Sequence, residues 1–262
     1  MTEADVGGAA AHTRPPAGLA FGSLLRADTM VLLRNRVSAT LSILLPIVLV
    51  VATSFGKAQS RLGGAELVIA LALTIGLITS CVLGYSLSLA HDREVGVLQR
   101  LRVTPAPTWT IMTSRLIVQV VINLIASLIV VIVGAILHGL ALNAGQFVLV
   151  LLVAILGAAM FLAIGQALVG LVPSASAINA IGRILFIVLL LLGILGGTGI
   201  LGDVMKSIAG WSPVGALMTL FSDVLSHAAW SGQDANALLA CFGYIVVFTF
   251  IGIRWFRWDT HS

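Results

Sequence analysis

Six long apolar stretches dominate this chain, at about 37–55, 65–90, 109–137, 146–171, 180–200 and 236–255. Each is long enough, at about 20 residues, to carry a helix through the hydrocarbon core of a bilayer. Only 9% of the residues are charged, against roughly 25% in a soluble domain. No single globular core hides that much apolar surface, so lipid must act as its solvent. A chain in lipid has to satisfy its backbone N–H and C=O groups internally, which leaves helices and closed barrels. The stretches are continuous rather than alternating, and helices are therefore expected over strands. The fold class read from the sequence is all-α, membrane-embedded, with six transmembrane helices.

The flanking segments complete the plan. Residues 1–18 are rich in Ala, Gly and Pro and read as a disordered tail, with no apolar core suggesting a cleaved signal peptide. Residues 19–36 carry Phe21, Leu24, Leu25 and Leu32 at helical spacing, interrupted by Asp28, and read as a helix lying in the interface. Residues 37–255 form the six-helix domain, and 256–262 a short tail. Pro46 should kink the first span. The stretch Leu201 to Ala235 is too polar for a span and too apolar for a free loop. Short helices dipping into the outer leaflet are expected there, one of them started by Pro213.

Charge gives the orientation. With both ends inside, eleven Arg residues fall on the inner side, against Lys57, Arg61 and Lys206 on the outer side. The positive-inside rule then places both termini in the cytoplasm of a cell whose plasma membrane holds the protein. Trp109, Trp255 and Trp258 fall at inner span ends and Trp211 and Trp230 flank the outer segment, as an aromatic belt requires. The net charge of +4 follows this topology. No basic stripe with interleaved aromatics suggests nucleic acid.

Several chemistries drop out. The chain has no G-x-x-x-x-G-K-[ST], so no P-loop nucleotide site, and no H-E-x-x-H or G-x-S-x-G. Cys81 and Cys241 lie within apolar runs, without metal-ligand spacing, and read as buried thiols. The five histidines are scattered, and no metal site is expected. The span interiors hold no Asp or Glu that could bind a driving ion. Asn123, Gln166 and Asn179 are polar within spans. They either line a substrate path or bond neighbouring helices, and interhelical bonding is the preferred reading. Gly193-x-x-x-Gly197, Ala154-x-x-x-Ala158 and Ala163-x-x-x-Ala167 permit close packing, within the chain or between copies.

The most distinctive polar break is His91 to Pro105. Arg93, Glu94, Gly96, Leu98, Leu101 and Pro105 stand as R-E-x-G-x-L-x-x-L-x-x-x-P directly after a span. Leu98 and Leu101 would share one face of a short helix and could seat in an apolar groove. Arg100 and Arg102 would face acidic groups or lipid phosphates. Glu94 near the helix start suits its dipole, and Gly96 permits close approach. The bland alternative is an ordinary charged loop.

This arrangement resembles the loop after the second span in permeases of the type-2 ATP-binding-cassette exporters. Val97 and Gln99 depart from the commoner Thr and Glu. The resemblance implies that Arg93, Glu94, Gly96, Leu98, Arg100, Leu101 and Pro105 form a cytoplasmic coupling helix seated on a separate ATPase subunit. It further implies that ATP and Mg bind that partner and not this chain, and that a second permease, identical or not, completes the path. Twelve Arg against two Lys suit a GC-rich genome, and the chain is similar to actinobacterial antibiotic-export permeases. An amphiphilic drug, antibiotic or lipid is the expected substrate, since aromatic platforms for sugars are few. The rival readings are a membrane assembly factor or insertase subunit without transport activity, and an ATP-independent channel, which would need polar rings along its pore.

Overall fold

The computed structural model describes residues 36–55, 63–97, 108–198 and 202–255, with isolated positions between 22 and 30. Among them every element is helical: α1 (Arg36–Ser54), α2 (Ala65–Glu94), α3 (Thr108–His138), α4 (Ala144–Leu171), α5 (Ala175–Thr198), α6 (Gly202–Trp211), α7 (Pro213–Leu225) and α8 (Gly232–Trp255). The tails 1–18 and 256–262 lie outside the described residues, as does most of the interfacial helix expected at 19–36. Five helices, α2, α3, α4, α5 and α8, are long and apolar enough to cross a bilayer. The first expected span is α1, whose described apolar part, Ile43–Ser54, is shorter.

α2 is the axis of the bundle. In its most apolar window 72% is buried inside the protein, against 22% for α5 and for α8. α5 and α8 therefore turn wide apolar faces outward, as lipid-facing helices do. Small residues set the spacing. A Cβ on Gly157 of α4 would come within 2.6 Å of the Leu217 side chain of α7. One on Gly134 of α3 would come within 2.8 Å of Ile69 of α2. Ala154, Ala158 and Ala167 are fully or almost fully buried, so these small-residue steps pack helices of one chain.

Local chemistry fixes the helix ends. Asn143 and Gln146 form a reciprocal capping box at the start of α4, each side chain bonding the other's backbone N–H at 2.9 Å. Ser212 caps α7 by accepting from the Gly215 N–H at 3.0 Å, and Pro213 opens the helix where its missing N–H costs nothing. This is the start expected for the short helix before the last span. Gln146 also donates to the Val224 carbonyl at 2.9 Å, holding the end of α7 to the start of α4.

Two features differ from the sequence reading. α2 continues a turn beyond the expected 65–90, to Glu94. Within it, Thr79–Tyr85 winds as a π-helix. Hydrophobic periodicity carries no mark of that wider winding.

Candidate functional site

The segment that begins at His91 is described as far as Val97. Leu98, Arg100, Leu101 and Pro105 lie outside the described residues. What is described shows that Asp92, Arg93 and Glu94, consecutive at the end of α2, each bond a different helix or its flanking turn.

Asp92 reaches α3. Its Oδ2 lies 2.6 Å from the Arg115 guanidinium.

Arg93 reaches the end of α4, for reasons that start in the sequence. Pro173 has no N–H and disfavours helical geometry at Val172. Val172 is accordingly extended, at φ −105° and ψ 126°, and α4 stops at Leu171. The carbonyls of its last turn have no following N–H groups to accept. Arg93 supplies the donors: 2.7 Å to the Val169 carbonyl, 2.8 Å to Val172 and 2.7 Å to Pro173. The carbonyl end of a helix carries partial negative charge, so a cation suits it. The side chain is 2% exposed, deep enough that an unpaired guanidinium would cost several kcal/mol. Its Nε is buried without a hydrogen-bond partner.

Glu94 takes the other side of the same turn. Its Oε1 accepts from the Ala175 N–H at 2.6 Å, at the positive end of α5. Glu94 itself closes α2, so the dipole it meets belongs to α5 and not to a helix of its own segment.

Gly96 follows at φ +75°. A left-handed residue just past a helix end is the usual station of glycine. Val95 N–H bonds the His91 carbonyl at 3.0 Å and Gly96 N–H the Arg93 carbonyl at 3.2 Å, ending α2. The backbone thus requires glycine here through its turn geometry; the expectation had been close approach.

The intramembrane amides cluster on the π-helical turn. Gln119 donates to Ser80 Oγ at 2.7 Å. Asn123 donates to the Gln119 carbonyl at 2.8 Å and to Cys81 Sγ at 3.2 Å. Tyr85 donates to Gln166 Oε1 at 2.8 Å. A Cβ on Gly165 would meet Cys81 O at 2.7 Å, so α4 runs hard against this turn. Asn123 and Gln166 are therefore used between helices, whereas Asn179 stays on α5 and accepts from Arg183 Nε at 3.0 Å. The structure brings Arg93, Glu94 and Gly96 together and leaves Asn179 apart from Asn123 and Gln166. Asp92, Arg115 and the Val172-Pro173-Ser174 turn were not singled out in the sequence. Pro173, directly after an apolar run, was the available signal for that turn.

These features define a helical, multi-pass membrane protein whose helices are knotted at one end by the residues closing α2. Comparison with known sequences gives the family. Residues 20–226 match the profile of the ABC-2 type transporter, and the chain belongs to that family. It is also similar to a Bacillus subtilis (strain 168) protein named "Putative transport permease YvfS", 28% identical over 138 residues. That match covers 51% of this chain and 55% of the relative's length.

Proposed function

We propose that this chain is the permease subunit of an ATP-driven exporter, carrying an amphiphilic drug, antibiotic or lipid out across the plasma membrane. Its termini face the cytoplasm, and two permeases and a separate ABC ATPase make the working unit. The family supports the permease role, and the YvfS name agrees with it. The observation that carries the coupling reading is the bonding of Asp92, Arg93 and Glu94 to α3, to the end of α4 and to α5. A force applied just beyond Glu94 cannot move α2 alone. It is passed to all three neighbouring spans, as an allosteric element linking a distant ATP site to the transport path must do.

Leu98 and Leu101 are the residues proposed to seat on the ATPase. The test is co-expression with an ABC-type ATPase that carries a Walker-A motif. The wild-type pair should co-purify and export in an ATP-dependent way. Leu98→Asp with Leu101→Asp should abolish co-purification and ATPase stimulation while the permease still inserts. A permease that binds no nucleotidase, or a double variant that behaves as wild type, would overturn the reading.

A further inference from the structure

One face of α5 is apolar except at a single point. Ala180, Arg183, Ile184, Ile187 and Leu191 recur at helical spacing, and all five are exposed. Ile184, Ile187 and Leu191 are each more than half exposed, as lipid-facing side chains are. Arg183 stands among them, about two turns or 12 Å along the axis from Ala175 at the helix start. An arginine inside a span is costly and ordinarily faces the bundle interior or a water-filled cavity. This one faces outward.

The other arginines whose side chains are described in the spans are each matched. Arg93 holds three carbonyls, Arg115 the Asp92 carboxylate, and Arg254 lies over the Trp255 ring at 5.9 Å. Arg183 has a neutral partner: its Nε donates to Asn179 Oδ1 at 3.0 Å. Among the described residues no carboxylate pairs with it. Asn179 lies one turn earlier, on the side toward which helical side chains lean. The bond therefore holds the guanidinium back toward the Arg93 end and the headgroup layer, as a snorkelling arginine requires. It occupies Nε and leaves Nη1 and Nη2, a planar fork that matches two oxygens of a phosphate.

The chain itself offers little to neutralise that fork. Asp92 and Glu94, the described carboxylates at this end, are already held by Arg115 and by the Ala175 N–H. A second copy meeting this face with the same end would bring no spare acid to it.

A guanidinium at the head of an exposed apolar stripe complements both parts of an anionic phospholipid, and we infer that this face of α5 binds one. The phosphate would accept from Nη1 and Nη2 of Arg183. An acyl chain would lie along Ile184, Ile187 and Leu191 toward the bilayer centre. Asn179 is a positioning residue, aiming the fork without touching the lipid. Binding needs neither transport nor an ATPase; only the leaflet, the inner one, rests on the cytoplasmic placement of this end in the permease reading.

α8 supplies an internal control. Phe242, Val246 and Phe250 form an exposed apolar face, and no charged residue lies between Phe242 and Phe250. Bulk lipid should touch it without regard to headgroup charge.

The probes are phosphatidylglycerol and phosphatidylcholine, each with a photoreactive diazirine in one acyl chain, placed in turn in phosphatidylcholine nanodiscs that hold the full chain. Labelled peptides are then counted by mass spectrometry. The α5-to-α8 labelling ratio should be about fivefold higher with phosphatidylglycerol than with phosphatidylcholine, the preference expected of one arginine at an anionic headgroup. Arg183→Gln should remove the preference. Arg183→Lys should keep part of it, and Asn179→Ala, which leaves the charge in place, should reduce it. These two variants carry the test if the glutamine variant fails to insert, and unchanged α8 labelling reports an intact fold. No preference in the wild type, or a full preference in Arg183→Gln, would overturn the site. So would an α5 face that neither probe labels while α8 is labelled, because another chain would then cover it. Loss of the preference to millimolar glycerol 3-phosphate would assign the fork to a soluble anion and overturn the lipid. A preference kept by a chain that binds no ATPase would sink the permease reading and spare this site; ATP-driven export without any preference would do the reverse.

Discussion

Arg93 and Glu94 are neighbours in sequence and hold opposite helix poles: the guanidinium takes the carbonyl end of α4, and the carboxylate takes the N–H end of α5. The turn between those poles, Val172-Pro173-Ser174, is thereby gripped from both sides by the last residues of α2.

Arg93→Ala should destabilise the protein strongly. It takes the donors from three carbonyls, of which the buried one, on Val169, is worth about 1–3 kcal/mol. Arg93→Lys should recover part of the loss, because one ammonium cannot reproduce a planar fork aimed at three acceptors. Thermal unfolding in detergent should rank wild type above Lys above Ala. An alanine variant as stable as wild type would show that the guanidinium does not hold α4.

Glu94→Gln should cost less than Glu94→Ala. The amide oxygen can still accept from Ala175 N–H but loses its attraction for the α5 dipole, worth about 0.3–1 kcal/mol. Hydrogen exchange at the first turn of α5 reads this directly, with fastest exchange expected in the alanine variant.

Gly96→Ala should destabilise by about 1–2 kcal/mol, the cost of placing a Cβ on a left-handed residue. The measured quantity is the unfolding midpoint. No loss would mean that the turn at φ +75° relaxes without penalty.

Asp223 gives a pH signature. Its carboxyl sits above its ordinary range, at about 6, so the folded protein holds this proton more tightly than the unfolded chain. The stabilisation is complete below about pH 4 and is lost as pH rises through about 6. The unfolding midpoint of wild type relative to Asp223→Asn should therefore fall across that window. A constant difference between the two would mean that burial and the nearby Asp234 do not hold this carboxyl up.

Membrane orientation is checked by thiol labelling. Ala58→Cys and Asp203→Cys should react with an impermeant reagent from outside intact cells, and Gln99→Cys only after the membrane is opened. Cys81 and Cys241 are buried, which keeps the background low. Reversed labelling would invert the topology.

The long spans were legible because apolar length alone defines them in lipid, and the Ser212-Pro213 start of α7 was legible from capping chemistry. The segment around Arg93 was recognisable by its residue pattern, but its internal partners were not. A buried arginine bound to backbone carbonyls leaves no mark on the helix that supplies them, beyond Pro173. Asn123 and Gln166 were visible as polar residues in spans, whereas their common target, the Thr79–Tyr85 turn, has the same composition as ordinary helix.

That turn has a consequence for the residues downstream of it. An α-helix advances about 100° per residue, since about 3.6 residues complete a turn. Seven residues bonded in the wider i→i+5 manner delay that rotation before the chain reaches Asp92. Were those seven residues wound as ordinary α-helix, Asp92, Arg93 and Glu94 would be carried further round the α2 axis. Each would then face the wrong neighbour, although every one of their codons was left untouched.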